Sequence, residues 1–430
     1  MQADQLFTGG TVRTGGPGAQ ATSALAVARG RVLAVGQDAL ASRGPRTDVI
    51  DLAGGVLLPS FGDGHVHPLL GGLGLREWGA IGPVLDLLPA PGADEQAAVL
   101  AEVSALFAAA GVTWVQDAWV ARDQVDAWLA AAAGGSLRFR ANLAFRAEPT
   151  LWKDQLGDFT ADRDRVNGEG RGALTARTVK FFADGVVESG TAALLEPYHD
   201  CPHSHGIANW TPAELADAIA AADAAGFQAH VHAIGDAGVR LALDAIAETA
   251  RRNGPADRRP TVAHVQLIDP ADLPRFAALG VIANLEPLWA QPDALMTELT
   301  LPRVGAVRGG RQYQIRSLLR SGARVSFGSD WPVTGYQPLA GIGTAVTRQT
   351  PGGDPAGGWL PAERVTAAEA LTAYSAGVAY QAFEEHRWGV LRPGMRADLI
   401  HLAADPAAIP ARDLRDLPVL GTWLAGTRTH

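Results

Sequence analysis

Apolar runs recur through the middle of the chain, and each of eight such runs leads into polar residues. They end near His65, Asp117, Arg146, Asp184, His232, Gln266, Glu286 and Asp330. Segments with helical periodicity lie between several runs, and the one over residues 212–223 begins with Thr211 and Glu214 spaced as a capping box. Strands alternating with helices predict a (β/α)₈ barrel, whose active site lies where the strands end.

The two ends of the chain show short strand patterns instead. Residues 24–36 predict a hairpin turning at Arg29-Gly30, and residues 48–52 predict another strand. No helix is expected before about residue 60. Residues 389–402 and 419–429 have the same strand character. We therefore expect one small β domain built from both termini.

Composition narrows the function classes. Hydrophobic residues make up 47% of the chain and charged residues 19%, as in soluble globular proteins. The net charge of -9 and the lack of a basic run argue against a nucleic-acid partner. No apolar segment reaches the ~20 residues of a membrane span, and no secretion signal is seen. A single cysteine, Cys201, excludes an internal disulfide framework and fits a cytoplasmic location.

A His65-Val-His67 triplet closes the first apolar run. Residues two apart on a β-strand share a face, so both imidazoles can hold one metal ion. Later runs carry further groups suited to a site for a metal such as Zn²⁺, namely Lys180, His232, His264 and Asp330.

Lys180 is unusual among these groups because a buried ammonium is costly to desolvate. Held neutral, its amine could react with CO₂ to form a carbamate that bridges two metal ions. Two divalent ions, less the carbamate, Asp330 and a bridging hydroxide, leave one positive charge. That charge would favour an oxyanion developing on a substrate carbonyl.

This set of residues resembles the amidohydrolase superfamily of metal-dependent hydrolases. The flanking segments are similar to amidohydrolase family 3, which includes YtcJ-like proteins and N-substituted formamide deformylases. They cover residues 58–67, 179–185, 232–236, 263–270, 328–333 and 389–399.

The resemblance implies a barrel over residues 58–385 and a small β-sandwich from residues 1–57 and 386–430. His65, His67 and Asp330 would bind one metal, and His232 and His264 the other. Carboxylated Lys180 would bridge two divalent ions, expected to be Zn²⁺. Metal-bound water would be the nucleophile, and Asp330 would take its proton and pass it to the leaving nitrogen.

The predicted reaction is hydrolysis of a C–N bond in a small-molecule amide, an N-substituted formamide or a cyclic amide. A metal-dependent isomerase or lyase and a catalytically silent scaffold are the alternatives. A single metal ion also stays open, as does a structural pairing of an uncarboxylated Lys180 with Asp184. A homodimer is an expectation from the family alone.

Two features depart from the family pattern. Gly190 stands where many relatives carry arginine, which could change how a substrate is anchored. The chain also looks shorter than many relatives between His67 and the second strand.

Several other residues have simpler interpretations. His230 is expected to pack beside the site rather than bind metal, and Asp63 and Asp236 to form structural hydrogen bonds. Trp119, Trp289 and Trp331 either wall an apolar pocket or pack against loops. A loop near the pocket mouth, rather than a second zinc site, is expected for the cluster of His199, Cys201, His203 and His205.

Overall fold

The computed structural model describes residues 1–16, 18–76 and 91–430. The β-strands within these ranges are β1 (Gln5–Thr8), β2 (Thr11–Arg13), β3 (Ala21–Thr22), β4 (Leu25–Ala28), β5 (Arg31–Val35), β6 (Asp48–Asp51), β7 (Val56–Pro59), β8 (Phe61–Val66), β9 (Val112–Val120), β10 (Arg140–Arg146), β11 (Leu174–Phe182), β12 (Gln228–Ala233), β13 (Thr261–His264), β14 (Ile282–Leu285), β15 (Arg324–Phe327), β16 (Leu399–Leu402), β17 (Val419–Leu424) and β18 (Thr427–Arg428).

Strands β8 to β15 pair in chain order as one parallel sheet. The sheet curls into a nearly closed barrel, and backbone hydrogen bonds tie its first strand to the segment after its last. Asp330 N donates to His65 O at 2.8 Å, and His67 N donates to Trp331 O at 2.9 Å. All eight apolar runs are strands, so the predicted barrel is confirmed.

The described ranges contain thirteen α-helices, most of which connect the barrel strands and cover them from outside. They are α1 (Gln37–Ala41), α2 (Pro68–Arg76), α3 (Ala93–Ala109), α4 (Val125–Ala133), α5 (Trp152–Glu169), α6 (Pro212–Ala224), α7 (Asp236–Asn253), α8 (Leu273–Ala278), α9 (Leu301–Gly309), α10 (Ile315–Arg320), α11 (Pro338–Thr347), α12 (Ala367–Thr372) and α13 (Val378–Gln381). Shorter 3₁₀ or π turns span Arg122–Gln124, Pro287–Trp289, Met296–Thr300, Pro361–Glu363, Ala373–Gly377 and Ala411–Asp416. The predicted capping box is present, with Thr211 and Glu214 bonding each other's backbone N–H groups. None of the helices within the described ranges combines the length and apolar character that crossing a bilayer requires.

Both ends of the chain contribute to the remaining sheets. One has the strand order β5-β4-β1-β6, and the other has β18-β17-β16-β7-β2-β3, which joins amino-terminal to carboxyl-terminal strands. Phe7 and Trp423 meet edge to face between the two ends, with ring centroids 5.1 Å apart. The predicted hairpin turns at Arg29 and Gly30, both at positive φ.

Two details of the terminal regions differ from the sequence-based expectation. A short helix, α1, forms well before residue 60 and buries Ala39 completely. Its five residues are too few to show a helical period in the sequence. Only residues 399–402 of the predicted strand over 389–402 are a strand. The part before it makes scattered backbone bonds to the amino-terminal strands, such as Leu391 N to Thr14 O at 2.7 Å.

A polar layer fills the barrel interior below the ends of the strands. Asn142 donates to Gln116 Oε1 at 2.8 Å and to Thr178 Oγ1 at 2.7 Å. On the other side, Gln381 donates to Gly64 O at 2.7 Å and accepts from Ser326 Oγ at 2.6 Å. Satisfied hydrogen bonds let these buried groups stay in the core and fix the strands that carry the site.

Candidate metal centre

The predicted triplet and Asp330 meet where β8 and β15 end. One donor atom from each of His65, His67 and Asp330 lies within 4.8 Å of the others, and all three side chains are buried. His67 Nε2 is 3.0 Å from Asp330 Oδ1, and His65 Nε2 is 3.5 Å from the same oxygen. Imidazole nitrogens and a carboxylate oxygen converging on one point form a donor set suited to a divalent metal.

Asp63 holds these two strand ends together. Its carboxylate accepts the backbone N–H groups of Ser329 at 3.0 Å and His65 at 3.2 Å, and also the Ser329 hydroxyl at 2.5 Å. Burial raises the pKa of Asp63 to about 7, against the lowering effect of these bonds. Asp63 therefore positions the backbone of both ligand-bearing segments.

Lys180 reaches the same point from β11. Its side chain is completely buried, with Nζ 3.3 Å from His65 Nε2. Burial lowers the pKa of Lys180 to about 7, and the carboxylates of Asp330 and Glu286 only partly oppose this. The amine is thus largely neutral above neutral pH. Neutrality is the state in which it can react with CO₂.

The described contacts do not include the alternative structural pairing of Lys180 with Asp184. The Asp184 carboxylate accepts backbone N–H groups of Ala193, Ile234 and Gly235 at 2.8 to 3.0 Å. Asp184 therefore orders the segment after β12, while Lys180 contacts His65.

His232 and His264 face each other at the ends of β12 and β13, with ring centroids 4.5 Å apart. His232 Nε2 bonds Gly185 O at 3.0 Å, and His264 Nδ1 bonds Glu286 Oε2 at 2.9 Å. If each of these nitrogens carries the proton, the other ring nitrogen presents a lone pair. His264 Nε2 is buried and has no hydrogen-bond partner within the described part of the chain.

Burial keeps three of the histidine ligands, His65, His232 and His264, in their metal-binding form. Burial lowers the pKa of His65 and His232 well below the usual value, and that of His264 to about 3. Burial alone would raise the pKa of Asp330. The hydrogen bond from His67, together with the favourable electrostatic effect of the neighbouring His67, His264 and Lys180 side chains, outweighs burial and lowers it. Neutral imidazoles beside an ionised carboxylate are what a cation requires.

The structure therefore brings all six predicted ligands to one end of the barrel. Glu286 and Asp117 also contact these residues, although no role in the site was predicted for either, and His230 packs beside the site as expected. Glu286, completely buried after β14, holds His264, and burial together with Asp330 raises its pKa well above the usual value. His230 Nε2 lies 2.9 Å from His65 Nδ1, so it orients that ring. Asp117 Oδ1 is 4.0 Å from His67 Nδ1.

Aromatic rings flank the six residues. Trp289 stacks on His264, with ring centroids 5.4 Å apart. The ring centroids of Phe182 and His232 are 5.0 Å apart. Trp119, about one third exposed, packs edge-on against His67 at 6.3 Å. Trp331 instead packs into the core against Phe107. Two of the three tryptophans considered thus line the site.

The loop after β11 carries the other histidines. The backbone of Tyr198 bonds Ser204 O at 2.9 Å, and His205 Nδ1 lies 3.1 Å from Leu194 O. Cys201 is exposed. Among the described residues, the metal-type cluster found is the one at His65, His67 and Asp330, so this loop holds none.

The two departures from the family pattern fall differently. Gly190 has a φ of +72°, and a Cβ there would come 3.4 Å from Arg303 Nη1. The guanidinium of Arg303, from α9, thus lies beside Gly190, the position where many relatives carry arginine. The shortened interval after His67 includes residues 77–90, which lie outside the described residues.

The chain is similar in sequence to several known proteins. It is 29% identical over 302 residues to the putative amidohydrolase YtcJ of Bacillus subtilis, covering 70% of this chain and 54% of that protein. It is also 29% identical over 330 residues to N-substituted formamide deformylase of Arthrobacter pascens, covering 74% and 57%. The chain spans about half the length of the curated relatives it matches.

The fold has solved counterparts as well. An uncharacterized metal-dependent hydrolase from Pyrococcus furiosus superposes with a TM-score of 0.76 at 23% identity, over 94% of this chain and 99% of that one. The sequence profile of the amidohydrolase family matches residues 73–430, a range that begins just after His65 and His67. Because that range is the greater part of the chain, the chain belongs to the amidohydrolase family.

Proposed function

We propose that this protein is a metal-dependent hydrolase that cleaves the C–N bond of a small amide, with N-substituted formamides as the favoured class. The observation that carries the proposal is the convergence of four imidazoles, one carboxylate and a buried amine at the carboxyl ends of the barrel strands. Barrel enzymes place their active sites at this end.

Two divalent ions, most simply Zn²⁺, fit this donor set. His65, His67 and Asp330 would hold one, and His232 and His264 the other, with carboxylated Lys180 between them. The buried, unpartnered His264 Nε2 supports this assignment, because an orphaned buried acceptor is costly unless something binds it. When bound, such ions act as Lewis acids and lower the pKa of water.

Each residue then has a definite task. The Asp330 carboxylate accepts a proton from the attacking water and delivers it to the nitrogen that leaves. Glu286 and His230 orient the rings of His264 and His65 through the hydrogen bonds described above. Trp119, Phe182 and Trp289 exclude water on the side where the substituent of the amide would lie.

The formamide assignment rests on the similarity to N-substituted formamide deformylase over 330 residues. Arg146, the cation that lies over Trp119, already pairs its charge with the Glu148 carboxylate, with Nε 2.7 Å from Oε1, so a substrate carboxylate there would compete with Glu148. A neutral amide therefore suits this side of the site better than a dipeptide does.

The substrate class is tested on protein loaded with Zn²⁺ and offered N-substituted formamides, the matching acetamides, a cyclic amide and an Xaa-Pro dipeptide. We expect release of formate and amine with kcat/KM of about 10⁴ M⁻¹ s⁻¹ or more for a true substrate. Chelation should abolish the reaction, and His264→Ala should do the same, whereas His386→Ala, at an exposed histidine, should not. Full activity in metal-free protein would refute the mechanism. Turnover of the dipeptide alone would refute the bond assignment.

Glu286 gives a prediction about metal retention. Glu286→Gln should weaken metal binding roughly 10–100-fold. The charge of a bound cation would favour ionised Glu286 despite its burial, and an amide is a poorer acceptor than a carboxylate for the His264 Nδ1–H group. Competition with a chelator of known affinity measures the change. The exposed Glu298→Gln is the matched control and should bind metal like the unaltered protein. Equal affinities for both variants would show that Glu286 does not support His264.

A further inference from the structure

A second cavity lies at the opposite end of the barrel from the candidate metal centre. It has a volume of about 480 Å³ and is formed where β11, β12 and β13 begin and where α5 and α6 end. Its lining includes Arg163, Arg177, Phe227, Arg258 and Phe383. Three guanidinium groups and two aromatic rings thus surround a space of the size that small ligands occupy.

Arg177 is the unusual member of this lining. Its side chain is half-buried, and its guanidinium carbon lies 5.1 Å from the centre of the Phe383 ring. Within the described part of the chain, that guanidinium has neither a carboxylate within 4.0 Å nor a hydrogen bond. Burial lowers the pKa of Arg177, although the Glu384 carboxylate opposes the shift. A half-buried cation without an anion is a costly arrangement unless a ligand supplies one.

The carboxylates that line the cavity already pair with side chains other than Arg177. Asp223 Oδ1 pairs with Arg258 Nε at 2.8 Å, and Asp223 Oδ2 accepts from Asn253 Nδ2 at 2.7 Å. Asp257 Oδ2 accepts from Arg259 Nη2 at 2.8 Å. Neither carboxylate therefore neutralises Arg177.

Arg163 lines the same cavity, and contacts with Phe227 and Ala225 hold its guanidinium in place. Its guanidinium lies 4.6 Å from the centre of the Phe227 ring, and Nη1 donates to Ala225 O at 2.6 Å. In the described structure, the one carboxylate within 4.0 Å of its guanidinium is that of the largely exposed Asp164, with Oδ1 3.3 Å from Arg163 Nε. Because a guanidinium has five N–H donors, Arg163 keeps donors free for a ligand.

We propose that this cavity binds a small organic anion through a phosphate or carboxylate group held by Arg177 and Arg163. Guanidinium groups match the oxygen spacing of both anions, and the rings of Phe383 and Phe227 hold the two groups in place. The site shares no residue with the candidate metal centre. The proposal of an anion site is therefore independent of the proposed hydrolase activity.

Isothermal titration of the metal-loaded protein at low ionic strength tests the site, with inorganic phosphate and succinate as separate probes. We expect one saturable site for at least one probe. Arg177→Gln should weaken that binding at least tenfold, because one of the two guanidinium groups is lost. Arg412→Gln, at a largely exposed arginine, is the matched control and should bind like the unaltered protein. The probe that binds more tightly identifies the anion.

Anion binding at the metal centre is common to every variant, so the difference between variants reports on this cavity alone. Circular dichroism checks that each variant is folded, and Arg163→Gln decides the matter should Arg177→Gln not fold. The proposal is wrong if neither probe saturates the unaltered protein. It is equally wrong if the folded arginine variants bind as tightly as the control.

Discussion

Asp330→Asn is expected to lower kcat/KM for amide hydrolysis by at least about 10³-fold while leaving the protein folded. The substitution removes both a negative metal ligand and the group that carries the proton to the leaving nitrogen. Asparagine is the right replacement because Asp330 has a φ of +51°, a left-handed conformation that asparagine tolerates better than most residues. Steady-state kinetics on the preferred formamide measures the loss.

The control for this variant is Asp413→Asn, which changes an exposed aspartate to the same residue. It should keep the unaltered rate. Thermal melting and metal analysis of Asp330→Asn separate its two expected effects, loss of an ion and loss of proton transfer. Activity within about tenfold of the unaltered protein would exclude Asp330 as the proton carrier.

Much of this site could be predicted because strand ends are visible in a sequence. The two-residue spacing of His65 and His67 fixes a shared face, and an apolar run before Lys180 or Asp330 places each near a strand end. The order of runs predicts which ends become neighbours, since parallel barrel strands pair in sequence. The barrel and the convergence of the six ligands follow from those local rules.

The supporting residues could not be predicted in the same way. Glu286 is one acid after one apolar run, and its bond to His264 depends on the register between β13 and β14 and on how the chain leaves β13. His264 and Val265 both have positive φ values, 73° and 47°, without a glycine to signal the turn. Such strained residues persist where the surrounding structure demands them, and neighbouring residues in the sequence do not encode that demand.

The same limit applies to the tryptophans near the strand ends. Trp119 lies near the end of β9 and Trp331 follows β15, yet Trp119 lies beside His67 whereas Trp331 packs on Phe107. Their different environments come from the helices and loops above the barrel, not from strand periodicity. Local pattern thus predicts that a side chain reaches the end of the barrel, but not which neighbours it meets there.

Lys180→Met is the second substitution for which we expect a large effect. The chain has only two lysines, Lys153 and Lys180, so arginine supplies nearly all of its positive charge. An arginine guanidinium stays protonated and does not form a stable carbamate with CO₂, whereas a neutral lysine amine does. The single buried lysine is therefore the one position where amine chemistry, rather than charge, accounts for the residue type.

Methionine keeps the length and apolar stem of Lys180 but cannot carry CO₂. Lys180→Met should lose one of two bound ions and at least about 10³-fold in kcat/KM, because no carboxylate would bridge the ions or offset their repulsion. Lys153→Met, at the exposed lysine, should change neither quantity. Metal analysis and steady-state kinetics on the same preparations give both numbers.

A direct test of the carbamate follows from the same scarcity of lysines. Protein reconstituted with ¹³C-bicarbonate should show one carbamate carbon signal, present in Lys153→Met and absent in Lys180→Met. Because burial brings the pKa of Lys180 to about 7, reconstitution at a constant concentration of dissolved CO₂ should be faster above that pH, where the amine is neutral. An unaltered protein with full activity, two metal ions and no carbamate signal would overturn the bridging role. In that case Lys180 would act through its amine alone, most directly through its contact with His65.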